Sequence, residues 1–203
     1  MSSIEGRRLR LRDIRLDDLE AVAYWHQPGH RWQETDAPWY PTDTAVEVAA
    51  RVERLRLTIT SGGFQTPRAR MAVADAASDA YLGEVSRYWE CRESRWPEVG
   101  ISLYDPGWWN RGLGTEATGL WCDYLLGASP DWPRIGLRTW SGNPGMMRVA
   151  EKLGLRLEGR FRRVRYHDGQ YYDCLGYGIL REEWQALYPG GFAGQLRALE
   201  VVR

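Results

Sequence analysis

Apolar and polar positions alternate with a period of two over residues 8–13, 69–74, 81–89 and 98–104, which predicts four strands. Between them the spacing changes to that of amphipathic helices. Over 17–26 the residues Leu19, Val22, Ala23 and His26 share a face, and a second helix is expected over 42–60, begun by Thr42 or Asp43 and stopped before Gly62-Gly63. The segment between these helices contains prolines, tryptophans and acidic residues and reads as a loop. From 113 the series Leu113, Ala117, Leu120, Trp121, Tyr124, Leu125 predicts a helix that ends before Gly127. A strand over 135–139 follows, and Asp168-Gly169 joins the runs 155–167 and 170–180 as a two-residue hairpin. The pattern from 189 on is weak and predicts a loose end. There are no internal repeats or low-complexity tracts, and the element order is that of an α/β (α+β) chain.

Two places concentrate turn chemistry. The first is Trp108-Trp109-Asn110-Arg111-Gly112-Leu113-Gly114-Thr115-Glu116-Ala117, between the strand over 98–104 and the long helix. Its glycines permit a tight turn and close main-chain approach, and the helix behind it offers free N–H groups and a positive dipole end to an anion. A plain strand-to-helix turn explains the same residues. A dinucleotide fingerprint would need a glycine at 117, where Ala117 stands, and an acidic residue about 20 positions on, where 130–133 is proline-bounded instead. A Walker loop would need a lysine before Thr115. Neither nucleotide class fits.

The second place runs from Arg138 to Leu155. Asn143 suits an N-cap, Pro144 the first helical position and Gly154 the left-handed residue past the end, so a short helix forms with Met146, Met147, Ala150 and Leu153 inward. Capping alone accounts for Asn143 at this point.

The order of these pieces, with Arg111-Gly112-Leu113-Gly114-Thr115-Glu116-Ala117, the strand over 135–139, Ser141-Gly142-Asn143 and Arg148-Val149-Ala150-Glu151-Lys152-Leu153-Gly154, resembles the GNAT N-acetyltransferase superfamily. Within it the chain is most similar to the RimJ/RimL-like branch of ribosomal-protein N-terminal acetyltransferases. The resemblance spans roughly residues 7–185 and is most specific over 98–182, ending in Tyr166-His167-Asp168-Gly169-Gln170-Tyr171-Tyr172-Asp173 and Leu180-Arg181-Glu182-Glu183-Trp184. It implies one domain over 1–188 with a tail over 189–203. The implied fold is a mixed, mostly antiparallel twisted sheet flanked by helices and splayed into a V between 98–104 and 134–139.

The resemblance further implies acetyl-CoA as co-substrate. Its pyrophosphate would sit on Asn110, Arg111, Gly112, Leu113, Gly114 and Thr115 beside Trp109, and its pantetheine arm along Ile101, Ser102 and Leu103, with Asn143 assisting. A main-chain N–H near Leu103 would polarise the thioester carbonyl. An attacking amine must be neutral, so a base should take its proton; Glu98 stands where the pattern often has a catalytic Glu, and Glu84 is a second candidate. Two departures stand out. Trp109 replaces the usual Gln or Arg, and Met146 and Met147 replace the Tyr or Ser that meets the departing sulfur, which leaves Ser141 or a water to help. The acceptor would be a primary amine, either a protein N-terminus or a small molecule such as a polyamine, amino acid or antibiotic. The alternative is a catalytically weak acyl-CoA-binding or regulatory module.

Composition narrows this little further. Eleven tryptophans are many for 203 residues, and Trp25, Trp32 and Trp39 crowd the first loop with Glu34, Asp36 and Asp43, where they either pack the loop on the core or hold a cationic acceptor between rings and carboxylates. Lys plus Arg equals Asp plus Glu at 27 each, so no global field favours nucleic acid or an anionic membrane. No apolar run reaches membrane-spanning length and no leader pattern precedes residue 13. Cys91, Cys122 and Cys174 lack metal-ligand spacing and suit reduced thiols in a cytoplasmic protein, and His26, His30 and His167 carry no catalytic or metal pattern. A homodimer is left open.

Overall fold

The computed structural model describes residues 3–201, with side chains as far as 196. Eight strands form one sheet: β1 (Ser3–Glu5), β2 (Leu9–Arg12), β3 (Arg70–Asp75), β4 (Tyr81–Cys91), β5 (Trp96–Leu103), β6 (Arg134–Trp140), β7 (Arg156–His167) and β8 (Gln170–Leu180). Their spatial order is β1-β2-β3-β4-β5-β6-β8-β7, antiparallel throughout except for β5 beside β6. The helices are α1 (Leu19–Trp25), α2 (Ala45–Ser61), α3 (Leu113–Ala128), α4 (Pro144–Lys152), α5 (Arg181–Leu187) and α6 (Phe192–Val201). No helix among the described residues is long and apolar enough to cross a membrane.

One face of the sheet is apolar because every second residue of β2 to β5 is. Leu9, Leu11, Met71, Val73, Val85 and Val99 are almost fully buried against Leu113, Ala117, Leu120 and Trp121 of α3. Burial of each large side chain contributes roughly 1.5–3 kcal/mol. The alternate residues, Arg70, Glu84, Ser86, Tyr88, Glu98 and Ser102, share the other face through the β3–β4–β5 register. Tyr104 continues that row just past β5 and packs on Trp25 and His26 at α1. Chemistry-bearing groups are thereby gathered on one side of the sheet.

Several local expectations change. The cap of α2 is Thr44, not Thr42 or Asp43: Thr44 exchanges bonds with Glu47 in a capping box, whereas the Asp43 carboxylate is taken by Arg51 at 2.8 Å. The helix α3 runs through Gly127 to Ala128, since buried Leu125 and Leu126 hold its last turn on the core. The loose end expected from 189 contains α6. Phe192 seats its ring over Gly119, where a Cβ would lie 2.5 Å from it, and Asp123 accepts from the Trp184 indole at 2.7 Å and the Ala193 amide at 3.3 Å. One aromatic residue in a glycine socket leaves no periodic signature.

The turn before α3 is tied to the far end of the chain. Glu116 is buried in the first turn of α3 and accepts from the amides of Arg7 at 2.7 Å and Arg8 at 2.8 Å, while Arg8 donates to the Arg111 carbonyl. Replacing Glu116 with Ala strands those donors, which costs about 1–3 kcal/mol each when they stay dry. We expect Glu116→Ala to lower the urea midpoint at unchanged m-value; a wild-type midpoint would show that the clamp holds nothing.

Candidate active site

β5 and β6 touch at a single parallel bridge, Glu98 with Gly136, and then diverge. The Tyr104 amide bonds the Leu82 carbonyl, and the same register makes Gly100 and Ser102 the β5 residues that bond β4. The N–H and C=O groups of Ile101 and Leu103 therefore point into the gap. Ser102 faces β4 with its main chain and offers the cavity only its side chain. The gap opens into a cavity of about 860 Å³ lined by β5, the loop over 32–40, the turn before α3, the start of α4 and Arg165 of β7.

At one end of the cavity lie Asn110, Gly112, Gly114 and Thr115. Gly112 has φ +80° and caps α3, whose first bond is Glu116 N–H to the Gly112 carbonyl, so the amides of 113, 114 and 115 have no helical acceptor. Leu113 turns into the core, and the Arg111 guanidinium lies over Trp108, 5.5 Å from the ring centre. Trp109, the departure noted above, donates its indole N–H to the Leu103 carbonyl at 2.8 Å and so occupies one of the two groups that Leu103 turns to the gap. Asn143 spends its oxygen on the Met146 amide at 2.9 Å and its NH₂ on the Thr35 carbonyl at 3.1 Å, which the Trp140 indole also reaches at 3.0 Å. It thus joins the cap of α4 to the loop over 32–40.

The two carboxylates are differently placed. Glu98 is 2% exposed at the closed end of the V, with Tyr88 Oη 3.3 Å and Arg138 Nε 3.5 Å from its Oε2. Burial pushes its carboxyl above the ordinary range, opposed mainly by Arg138. Tyr88 itself opens onto the cavity. Glu84 is held by Arg70 and the Tyr81 hydroxyl, both at 2.5 Å, and does not line the cavity. Ser141 lies outside it too, its hydroxyl accepting from the Asp173 amide at 3.0 Å. Met146 lines the cavity and Met147 does not.

Of the loop residues, Trp32 and Trp39 line the cavity. Trp25 stacks on Tyr104 instead, and Glu34 is exposed away from the lining. Asp36 does border the space; it is exposed to solvent, yet the protein atoms crowded around it raise its carboxyl above the ordinary range, against the opposing charge of Arg70. Sequence reasoning did not single out Tyr88, Arg138, Trp140 or Arg165. Tyr88 was accessible in principle, because a hairpin centred near 93 pairs it with Glu98; Arg165 was not, because a bulge in β7 sets its direction.

Comparison with known proteins identifies the family and the fold. A family model described as an acetyltransferase (GNAT) domain matches residues 8–156, and the chain belongs to the GNAT acetyltransferase family. Its fold is similar to RimJ of Mycobacterium smegmatis in complex with CoA-disulfide, with TM-score 0.68 and 19% identity over 98% of this chain and 95% of that one. It is also similar to an acetyltransferase (GNAT family) from Bacillus anthracis, with TM-score 0.67 and 22% identity over 90% and 100%. The spermidine/spermine N-acetyltransferase SpeG of Vibrio cholerae gives 0.64 and 20% over 89% and 99%. A curated relative, the SPbeta prophage-derived uncharacterized N-acetyltransferase YokL of Bacillus subtilis (strain 168), is 33% identical over 54 residues, a match that spans 27% of this chain and 30% of the relative's length.

Behind the cavity wall His26 is buried between Trp32 and Tyr104, with Arg51 near enough to oppose a second positive charge. Burial first and Arg51 second depress it to about 4, against partial compensation from Glu84 and Asp43. A depressed pKa means that the folded state binds fewer protons than the unfolded one. Stability is therefore complete above the unfolded value of about 6.5 and is lost as pH falls towards 4. The measured unfolding free energy should drop between pH 7 and 5 in the wild type and drop less in His26→Gln; equal losses would assign the acid sensitivity elsewhere.

Proposed function

We propose that the chain transfers an acetyl group from acetyl-CoA directly to a primary amine bound in the same cavity. The observation that carries this reading is the gap beyond the Glu98–Gly136 bridge, where an unpaired strand edge leads from the free amides at the start of α3 to the polar face of the sheet. These residues fit the co-substrate. The amides of 113, 114 and 115 suit a pyrophosphate, with Arg148 and Lys152 also lining the cavity, and the main chain of Ile101 with the remaining N–H of Leu103 suits an amide-bearing arm. Bound there, acetyl-CoA would supply an activated acyl group.

The remaining work falls to the chain's own side chains. An amine arriving as an ammonium must lose a proton before it can attack. Glu98 does not line the cavity and Tyr88 does, so the proton leaves through Tyr88: the hydroxyl takes it from the amine and passes its own to Glu98 Oε2. Arg138, held by Glu90 at 2.8 Å, fixes the Glu98 carboxylate without forming a close pair with it. At the other half of the reaction the chain offers no hydroxyl at 146 or 147, and Ser141 is turned away. A thiol pKa of ~8.5 makes a dedicated acid dispensable.

That missing hydroxyl favours a second reading, a module that binds acyl-CoA and transfers slowly or not at all. Turnover separates the two. On the first reading Tyr88→Phe and Glu98→Gln each lower kcat by about 10²-fold or more at unchanged acetyl-CoA affinity. Because burial raises the Glu98 pKa, the base is protonated and idle at low pH, so the wild-type rate should rise through a limb displaced above the ordinary carboxylate range and Glu98→Gln should abolish that limb. Wild-type turnover in Glu98→Gln at every pH would remove its role, and a wild type that binds acetyl-CoA but acetylates no amine would leave the binding module.

A further inference from the structure

The cavity lining holds two side-chain donors, remote in sequence from the turn before α3, that have no partner among the described residues. Arg165 Nε and Trp39 Nε1 are buried without a hydrogen-bond partner among the described residues, and the Arg165 guanidinium lies over the Trp39 ring, 4.6 Å from its centre. Both side chains line the cavity. The neighbouring arginines are satisfied: Arg138 meets Glu90 at 2.8 Å and Arg160 meets Asp173 at 2.6 Å. Among the described residues no carboxylate forms an ion pair with Arg165.

The fold takes trouble to put it there. From Phe161 to Arg165 β7 advances four residues while its partner β8 moves back only two, from Cys174 to Tyr172, so two extra residues bulge outward. Arg163 takes φ +55° in that bulge, and Asp173 holds it by accepting from the Arg163 amide at 2.9 Å and from Arg160. Asp173, which neighbours Tyr172, the cross-strand partner of Arg165, is therefore spent on the bulge. Stacking on an indole fixes the guanidinium plane, and a fixed guanidinium offers its fork to a carboxylate better than a mobile one. The cations suited to the co-substrate's phosphates are Arg148 and Lys152, which also line the cavity, and Arg148 reaches Asn110 at 3.3 Å.

We propose that Arg165, fixed on Trp39, binds a carboxylate carried by the acceptor amine, so that the acceptor is an amino acid or the N-terminus of an acidic polypeptide segment rather than a polyamine. The proposal rests on the acetyl-transfer reading. A polyamine would bring more positive charge to a guanidinium that has no counterion, whereas a carboxylate supplies the missing acceptor. The two sources differ in where the carboxylate sits, as the α-carboxylate of a free amino acid or as an acidic side chain near a peptide's first residue.

Acetylation with acetyl-CoA decides the matter in three arms: free L-amino acids against their amides, tripeptides beginning Asp or Glu against Asn or Gln, and spermidine. In one of the first two arms the carboxylate-bearing acceptor should exceed its uncharged counterpart by about 10-fold or more in kcat/KM, and the arm in which it does so names the source. Arg165→Gln should erase that preference through KM, leave the uncharged acceptors and acetyl-CoA affinity unchanged, and Arg165→Lys should restore it only in part. Equal or better turnover of uncharged acceptors or spermidine, or an Arg165→Gln variant that slows all acceptors by one factor, overturns the carboxylate site while acetyl transfer stands. A wild type that acetylates nothing in the three arms overturns both.

Discussion

The structure depends on the point at which β5 and β6 part. One parallel bridge joins them, at Gly136, where a Cβ would lie 3.2 Å from Glu98 Oε1 and 3.1 Å from the Tyr177 carbonyl, so the smallest residue gives the closest fit. A side chain there would make the Glu98 carboxylate or the Tyr177 carbonyl give way by a few tenths of an ångström. Beyond the bridge each strand finds its other partner, β4 on one side and β8 on the other, so the sheet remains continuous while an edge inside it stays unpaired. Buried main-chain groups are seldom left unpaired. An unpaired edge lining a cavity is therefore what gives this site its directionality.

Around that edge the start of the chain and its middle cooperate. Glu116 gathers the amides before β2 onto the first turn of α3, and Arg8 fixes the Arg111 carbonyl, so the turn carrying Gly112 is held from behind and its free amides face forward. Across the cavity the Thr35 carbonyl is gripped by both Trp140 and Asn143. The loop over 32–40 thus hangs from the same residue that caps α4, and a disturbance in one reaches the other. Asn143, a pantetheine contact by resemblance, does structural duty with both polar atoms.

Much of this was legible from residue order. Alternation gave the strands, Gly112 the turn, Pro144 and Gly154 the limits of α4, and Asp168-Gly169 the hairpin, because each rests on local backbone chemistry. What escaped depends on contacts distant in sequence. Phe192 needs the socket at Gly119, and the direction of Arg165 needs Asp173 to accept from the Arg163 amide. In the loop, aromatic composition marked the region but could not divide Trp32 and Trp39, which face the cavity, from Trp25, which stacks on Tyr104. Ser141 shows the same limit. It was the expected stand-in for the hydroxyl missing at 146 and 147, yet its own hydroxyl accepts from the Asp173 amide outside the cavity.

The central claim is that the unpaired edge of β5 and the free amides of α3 form one continuous binding track for acetyl-CoA. Main-chain amide hydrogen exchange with and without saturating acetyl-CoA reads that track residue by residue. The amides of Ile101, Leu103, Gly114 and Thr115 should slow on binding, while those of Gly100 and Ser102, already bonded to β4, should not change. Protection that is absent from Ile101 and Leu103, or equal at odd and even positions of β5, would contradict the account.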